Sequence, residues 1–356
     1  NCLYNIFIWA IHSRTMSFIN RKKLMENKVE TIVKQFFKPE NIESVKVFAS
    51  RVIVTLKDVP ENAEINAVLE KSLLALPGIS KVSIIYTADK KVQKLNAKSD
   101  KYEVRGVKKI IGVASGKGGV GKSTTSINLA LALQKLGLKV AVFDADIYGP
   151  SVPTMLGYEG AKPVSYDGKT FEAFEYKNVK SMSIGTLLDK SQPLIWRGSK
   201  ACGAIEQLMT ETNWGEIDVM VIDMPPGTGD IQITLSQKLD LDGVVIVSTP
   251  QDIALIDAVK GVNMFKRVDV PILGIIENMS YYICEKCGHR ADIFGHEGAK
   301  KTAEEMGETF LGEIPLHLAI RENADKGTPI VYAEPESPHT KAYQDIAAKV
   351  KEKLGL

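Results

Sequence analysis

The stretch "SGKGGVGKSTT", residues 115–125, constrains this chain more than any other. From Gly116 to Ser123 it fits G-x-x-x-x-G-K-[ST], a phosphate-binding loop. That loop works only between a buried strand and a helix, and both flanks qualify. "KKIIGVAS" precedes it as an apolar run, and "KSTTSINLALALQKLG" follows with helical spacing. Glycines let successive backbone N–H groups curl around phosphate oxygens, and the helix N-terminus adds partial positive charge. Lys122 then reaches the β and γ phosphates, and the Ser123 hydroxyl helps to hold Mg2+. Gly116, Lys117, Gly118, Gly119, Val120, Gly121, Lys122, Ser123 and Thr124 are therefore the candidate nucleotide cradle. The competing reading is a glycine-rich turn without a ligand.

The rest of the chain supports such a fold. "KKIIGVAS", "KVAVFD", "DVMVID", "DGVVIVS", "PILGIIEN" and "FLGEIP" are continuous apolar runs separated by helical patterns such as "DIALIDAVKGVNMFKRV". Continuous rather than alternating runs suit strands buried on both faces of a parallel sheet. The expected fold is α/β: a P-loop NTPase with a mostly parallel, doubly wound sheet, preceded by a small α/β domain. The small domain spans residues 25–88. In it, "NKVETIVKQFF" and "INAVLEKSLLALPGI" read as helices, "SVKVFASRVIVTLKDV" as two strands joined at Ala49 and Ser50, and "KVSIIYT" as a third strand. Residues 89–107 read as a polar linker, 108–356 as the NTPase domain, and "KAYQDIAAKVKEKL" as its closing helix. The sequence starts at Asn1, and Met16 or Met25 could be the translation start, so residues 1–24 are set aside as a doubtful leader. Its apolar part, "CLYNIFIWAIH", has about half the length needed to span a bilayer.

The formal net charge of +2, without a block of like charges, gives no footprint for nucleic acid. The last helix lacks the bulky apolar face of a membrane-seeking helix. Neither nucleic acid nor membrane is expected as a partner.

Three further positions fall where a nucleotide enzyme needs them. "DVMVIDMPPGTGD" ends a strand at Asp223, placed to hold Mg2+ through water, and its two prolines stiffen a loop able to sense the γ-phosphate. "VAVFDADIYGPS" ends a strand with Asp144 and Asp146 at the ligand-binding edge of the sheet, although acids there also serve as helix caps. Asn278 in "GIIENMS" follows a strand, where a turn-forming asparagine is the alternative.

Four cysteines are too few for a disulfide framework and suit a reducing cytoplasm. Cys284 and Cys287 form a CxxC pair, which supplies two ligands where a tetrahedral metal site takes four. Gly288 stands where haem attachment requires histidine, and the pair does not open a helix after a strand as redox dithiols do. By chemistry alone zinc and an iron–sulfur cluster remain level, with His289 a further possible ligand. Cys202, in "KACGAIEQLM", reads as a buried, inert thiol.

"KGGVGKS" resembles the deviant P-loop of the MinD/ParA/Mrp group of ATPases, where the first lysine reaches the nucleotide of a partner subunit. The resemblance implies ATP as the nucleotide, a homodimer, and Lys117, Lys122 and Asp146 as catalytic residues. Asp146 would orient the attacking water, Asp144 would assist around Mg2+, and Asn278 would contact adenine. A solvated loop lysine is the other reading of Lys117. "DADIYGPSVPTMLG", "WRGSKACGAIEQLM", "ENMSYYICEKCG" and "LGEIPLHLAIRENADKGTPIV" occur in the order seen in the Mrp/ApbC family of cytosolic iron–sulfur cluster carriers. That resemblance covers residues 108–352 and, more weakly, 26–88.

It implies two CxxC pairs meeting at a two-fold axis around a [4Fe–4S] cluster, later passed to recipient iron–sulfur apoproteins. Slow ATP hydrolysis suffices for such a switch. Two departures stand out: residues 26–88 hold no cysteine, and Ser199 and Lys200 replace an expected proline and large apolar residue. The rival readings are a MinD/ParA-type positioning ATPase and a zinc-binding P-loop ATPase.

Overall fold

A computed structural model describes residues 25–48, 51–57, 59–60, 62–87, 101–187 and 198–356. The expected leader, the join at Ala49–Ser50 and most of the expected linker lie outside the described residues. The chain divides into two units, Asn1–Ala97 and Lys98–Leu356.

In the first unit, helix α1 (25–33) precedes β1 (Ile42–Phe48), β2 (Arg51–Lys57), α2 (Ala63–Leu74) and β3 (Lys81–Thr87). The sheet order is β1-β2-β3, antiparallel for the first pair and parallel for the second. The period-two pattern of β2 sends Val52, Val54 and Leu56 inward, against Val29 and Val33 of α1 and Leu69 and Leu73 of α2. Each such burial contributes about 1.5–3 kcal/mol. Asn62 caps α2 by accepting from the backbone N–H groups of Glu64 and Ile65.

The second unit begins with β4 (Val107–Ala114), α3 (Lys122–Lys135), β5 (Val140–Asp144) and the short α4 (Val152–Met155). Three short strands follow, β6 (Phe171–Glu172), β7 (Phe174–Tyr176) and β8 (Val179–Ser183), then α5 (Gly198–Glu211) and β9 (Thr212–Asn213). Next come β10 (Ile217–Asp223), α6 (Asp230–Lys238), β11 (Gly243–Ser248), α7 (Asp252–Arg267) and β12 (Ile272–Asn278). A small ribbon, β13 (Tyr282–Ile283) and β14 (Arg290–Ala291), precedes α8 (Gly298–Met306) and β15 (Phe310–Ile314). The chain closes with α9 (Leu318–Asp325), α10 (Ile330–Ala333) and α11 (Pro338–Lys353).

Eight strands form the main sheet in the order β15-β12-β11-β4-β10-β5-β8-β7, all parallel except β7. The six apolar runs read from the sequence are β4, β5, β10, β11, β12 and β15. The other two, β8 and the edge strand β7, carry too many polar residues ("EY", "VKSMS") to resemble buried strands.

Along β10, Met220 and Ile222 join one core with Phe143, Trp214 and Phe265, while Val219 and Val221 join the opposite core with Leu129, Leu131 and Tyr343. Both faces are thus covered, which explains the unbroken apolar runs. Helix α11 buries Tyr343, Ile346, Ala347 and Val350 against the second core, as a helix docked on its own domain does. Tyr102, within the stretch read as linker, is buried in the first core and donates its backbone N–H to the Lys238 carbonyl at 2.8 Å.

Strand β4 lies between β10 and β11, and the chain crosses it when passing from one to the other. This reversal of strand order opens a crevice at the carboxyl ends of β4, β5 and β10, the usual ligand position in such sheets.

Candidate functional site

The loop from β4 to α3 needs glycine for two different reasons. Gly119 and Gly121 take φ of 82° and 81°, the left-handed region. At Gly116 a Cβ would lie 2.1 Å from the Asp257 backbone of α7. Gly121 caps α3 without a side-chain hydrogen bond, so the first-turn N–H groups face the crevice and suit an anion.

Three elements, α3, β10 and the loop after β5, bring the charged residues together. Lys122 Nζ lies 2.7 Å from Asp223 Oδ1 at the end of β10 and 3.6 Å from Asp146 Oδ2 after β5. Ser123 Oγ donates to Asp223 Oδ2 at 2.5 Å, and Ser126 Oγ donates to Asp223 Oδ1 at 2.7 Å. The backbone N–H of Ala145 donates to the Asp223 carbonyl at 3.0 Å, joining the two acidic loops. Asp146 Oδ1 is buried and has no hydrogen-bond partner. Burial pushes the Asp146 carboxyl up, opposed by Lys122.

Asp144 is wholly buried, and both its oxygens are engaged inside the fold. Oδ1 accepts from the Asp146 backbone at 3.0 Å; Oδ2 accepts from Ser183 Oγ at 2.9 Å and the Val152 backbone at 3.2 Å. Burial, then the charge of Asp223, pushes its pKa up to about 7. Its geometry is that of a residue shaping the loop on which Asp146 stands.

On the other side of the loop, Asn278 Nδ2 donates to the Val120 carbonyl at 2.8 Å. Lys117 is half-buried and forms no ion pair among the described residues. Ser115 Oγ fixes its carbonyl at 2.9 Å.

The CxxC pair occupies the turn joining β13 to β14. The Cys284 N–H donates to the His289 carbonyl at 2.9 Å, the Gly288 N–H donates to the Cys284 carbonyl at 2.8 Å, and Gly288 takes a φ of 68°. The turn aims the backbone N–H groups of Lys286 and Cys287 at the Cys284 sulfur. Those two bonds, then the Cys287 thiol, lower the pKa of Cys284. Cys287 is exposed, and so is His289, whose carbonyl rather than its ring is engaged here. Among the described residues, no three or more His, Cys, Asp or Glu side chains converge as a metal site. Among the described residues the turn therefore presents two thiols and no further ligand. Cys202, on α5, is half-buried, and burial pushes its thiol up.

The family profile described as ParA, NUBPL iron-transfer P-loop NTPase, matches residues 106–351. The chain belongs to this family. It is 53% identical over 251 residues to the iron-sulfur cluster carrier protein of Escherichia coli strain K12, covering 70% of this chain and 68% of that relative. It is 48% identical over 257 residues to the iron-sulfur cluster transfer protein NUBPL of Dictyostelium discoideum, covering 72% and 80%.

Solved structures agree on the fold class read from the sequence. A nucleotide-binding protein from Archaeoglobus fulgidus, in complex with ADP, superposes with a TM-score of 0.58 at 36% identity, covering 67% of this chain and 92% of that one. The cell division ATPase MinD of Pyrococcus furiosus gives 0.54 at 25% identity, covering 68% and 98%. The first unit of this ParA/NUBPL chain lies outside the profile match.

Sequence reasoning missed Ser126 and Ser183. Ser126 stands four residues after Lys122, hence on the same helix face, and that spacing could have placed it. Ser183 belongs to a strand that was not recognised.

Proposed function

We propose that this chain is an ATP-hydrolysing carrier that binds an iron–sulfur cluster between two copies of itself and passes it to recipient apoproteins. One observation carries the reading. A single chain holds a phosphate cradle and, on the segment leaving β12, a solvated turn with two thiols and, among the described residues, no further ligand. Two such turns supply the four thiolates that a [4Fe–4S] cluster takes. The names of the relatives, cluster carrier and cluster transfer protein, point the same way.

In this reading the backbone from Gly116 to Thr124 cradles the phosphates of ATP. Lys122 moves its charge onto them, away from Asp223 and Asp146. Lys117, with no carboxylate partner among the described residues, is available to the nucleotide of the partner subunit, where a second cation offsets charge on the transferring phosphoryl group. Ser123, Asp223 and the unpartnered Asp146 Oδ1 form an all-oxygen donor set that fits Mg2+, which when bound neutralises phosphate charge. Asp146 orients the attacking water, Asp144 holds the loop that carries it, and Asn278 contacts the adenine. Such a switch needs only slow turnover. Among the described residues no helix is long and apolar enough to cross a membrane, and reduced thiols suit work in the cytoplasm.

The test is anaerobic reconstitution with iron and sulfide, followed by visible absorption and metal analysis. The expected result is sulfide-to-iron charge-transfer absorption in the wild type and its loss in Cys284→Ala/Cys287→Ala. Equal spectra for the two proteins, or zinc filling the thiolates instead, would overturn the carrier reading.

A further inference from the structure

The segment that ends β12 at Asn278 continues directly to Cys284, and it is fastened at both ends. At the nucleotide end, Asn278 donates to the Val120 carbonyl of the phosphate loop. Met279 then turns the chain in the left-handed region, at φ 54°. Ser280 is buried and bonds its backbone N–H to the Ile314 carbonyl of β15 at 3.0 Å.

At the thiol end, Arg290 lies opposite Ile283 in the ribbon, beside Cys284. Its guanidinium forks onto Glu313 of β15, with Nη1 to Oε1 and Nη2 to Oε2 both at 3.2 Å. Its Nε donates to Asp292 at 3.1 Å, and its Cζ lies 4.0 Å from the Tyr281 ring centroid. A forked arginine–carboxylate pair fixes orientation as well as distance.

Glu313 also serves the other end. Its Oε2 lies 3.0 Å from Ser280 Oγ, which contacts Glu277 Oε1 as well. Glu277 is the residue before Asn278, is fully buried, and accepts from the Ala299 N–H of α8 at 2.6 Å. A serine hydroxyl has one proton. Facing Glu277 Oε1 at 2.5 Å and Glu313 Oε2 at 3.0 Å, it can donate to only one of them at a time, Glu277 on the side of the phosphate loop or Glu313 on the side of the thiol turn.

We propose that Arg290 is the positioning residue that ties the Cys284/Cys287 turn to the nucleotide site, acting through Glu313 and Ser280 on the Glu277–Asn278 end of β12. The proposal rests on the carrier reading only in taking these thiols as the cargo site. A nucleotide that engages Asn278 changes its pull on Val120 and so biases the hydroxyl between its two acceptors. Arg290 delivers that bias to the turn.

The test uses metal-free, full-length protein kept anaerobic. Alkylation of Cys284 and Cys287 by iodoacetamide is timed by peptide mass spectrometry without nucleotide, with Mg·ADP and with Mg·ATP. The wild-type rates should differ between nucleotide states by about fivefold or more, the low end of typical coupling between sites. In Arg290→Ala the ratio should fall towards one, while ATP hydrolysis stays within about twofold of wild type. If Arg290→Ala loosens the turn, its thiols will react faster in every state, and Glu313→Gln, which keeps the volume, then decides by the same ratio. A wild-type ratio of one, or a ratio retained in both variants, overturns the proposal. Because the thiols carry no iron or zinc in this assay, failed cluster reconstitution would sink the carrier reading without touching this result.

Discussion

The side-chain nitrogen of Asn278 occupies the space that a Cβ on Gly121 would need, 2.1 Å from it, and donates to the neighbouring Val120 carbonyl at 2.8 Å. Gly121 is thus constrained twice, by this contact and by a left-handed φ of 81°. A left-handed L-residue costs roughly 1–2 kcal/mol, before any displacement of Asn278. Gly121→Ala should lower Tm by roughly 3 °C or more and weaken ATP binding at least about tenfold. Gly118→Ala is the control: its Cβ meets nothing within 4 Å, so Tm should hold. Thermal unfolding and calorimetric titration read both.

Lys122 is the cation set between two buried carboxylates, Asp223 and Asp146. Lys122→Met keeps most of the volume and removes the charge. Leaving one side of a buried pair unpaired costs about 3–5 kcal/mol, so the metal-free variant should unfold at clearly lower urea. ATP hydrolysis should fall by about a hundredfold or more, because the charge on the phosphates goes with it.

Asp144 sets a pH dependence with a definite sign. Its folded pKa, about 7, lies above the ordinary carboxylate value of 3.8. Between those values the unfolded chain releases a proton that the folded chain keeps. This site therefore lowers stability as pH rises through that window, with no further change above it. In EDTA, urea midpoints of the wild type from pH 4 to 8 should show this loss, on the order of a few kcal/mol. The Asp144→Asn curve should be flatter, whatever its absolute height.

The thiols should separate by pH. Two backbone N–H groups lower Cys284, whereas burial raises Cys202. Alkylation rate against pH, read per peptide, should place the Cys284 midpoint below that of an ordinary cysteine and the Cys202 midpoint above it. A common midpoint for the two would contradict this geometry.

The sequence made some parts of this molecule legible for clear reasons. A phosphate loop is local, and so is the continuous apolar character of strands covered on both faces, which is why β4, β5, β10, β11, β12 and β15 were readable. Strands β7 and β8 were not. They lie towards one edge of the sheet, where Lys180 is only half-buried, Ser181 Oγ is buried without a partner among the described residues and Ser183 donates to Asp144. Asp144 shows the same limit: its place at a strand end was readable, but the donors of Ser183 and Val152 that occupy its oxygens come from elsewhere in the chain. The junction of Glu277, Ser280, Glu313 and Arg290 left no local trace, because it joins two strands and a ribbon through pairings that only the fold creates.

Asp146 Oδ1 remains the buried oxygen of the nucleotide site without a donor. An unsatisfied buried polar atom costs about 1–3 kcal/mol. The resting protein therefore holds one atom in a poorer environment than the loaded protein would give it. Part of the affinity for ATP and its water shell then comes from relief of that discomfort rather than from new contacts alone. A substitution that removed the oxygen would make the empty chain sturdier and the loaded chain less distinct from it, narrowing the difference on which any switch depends.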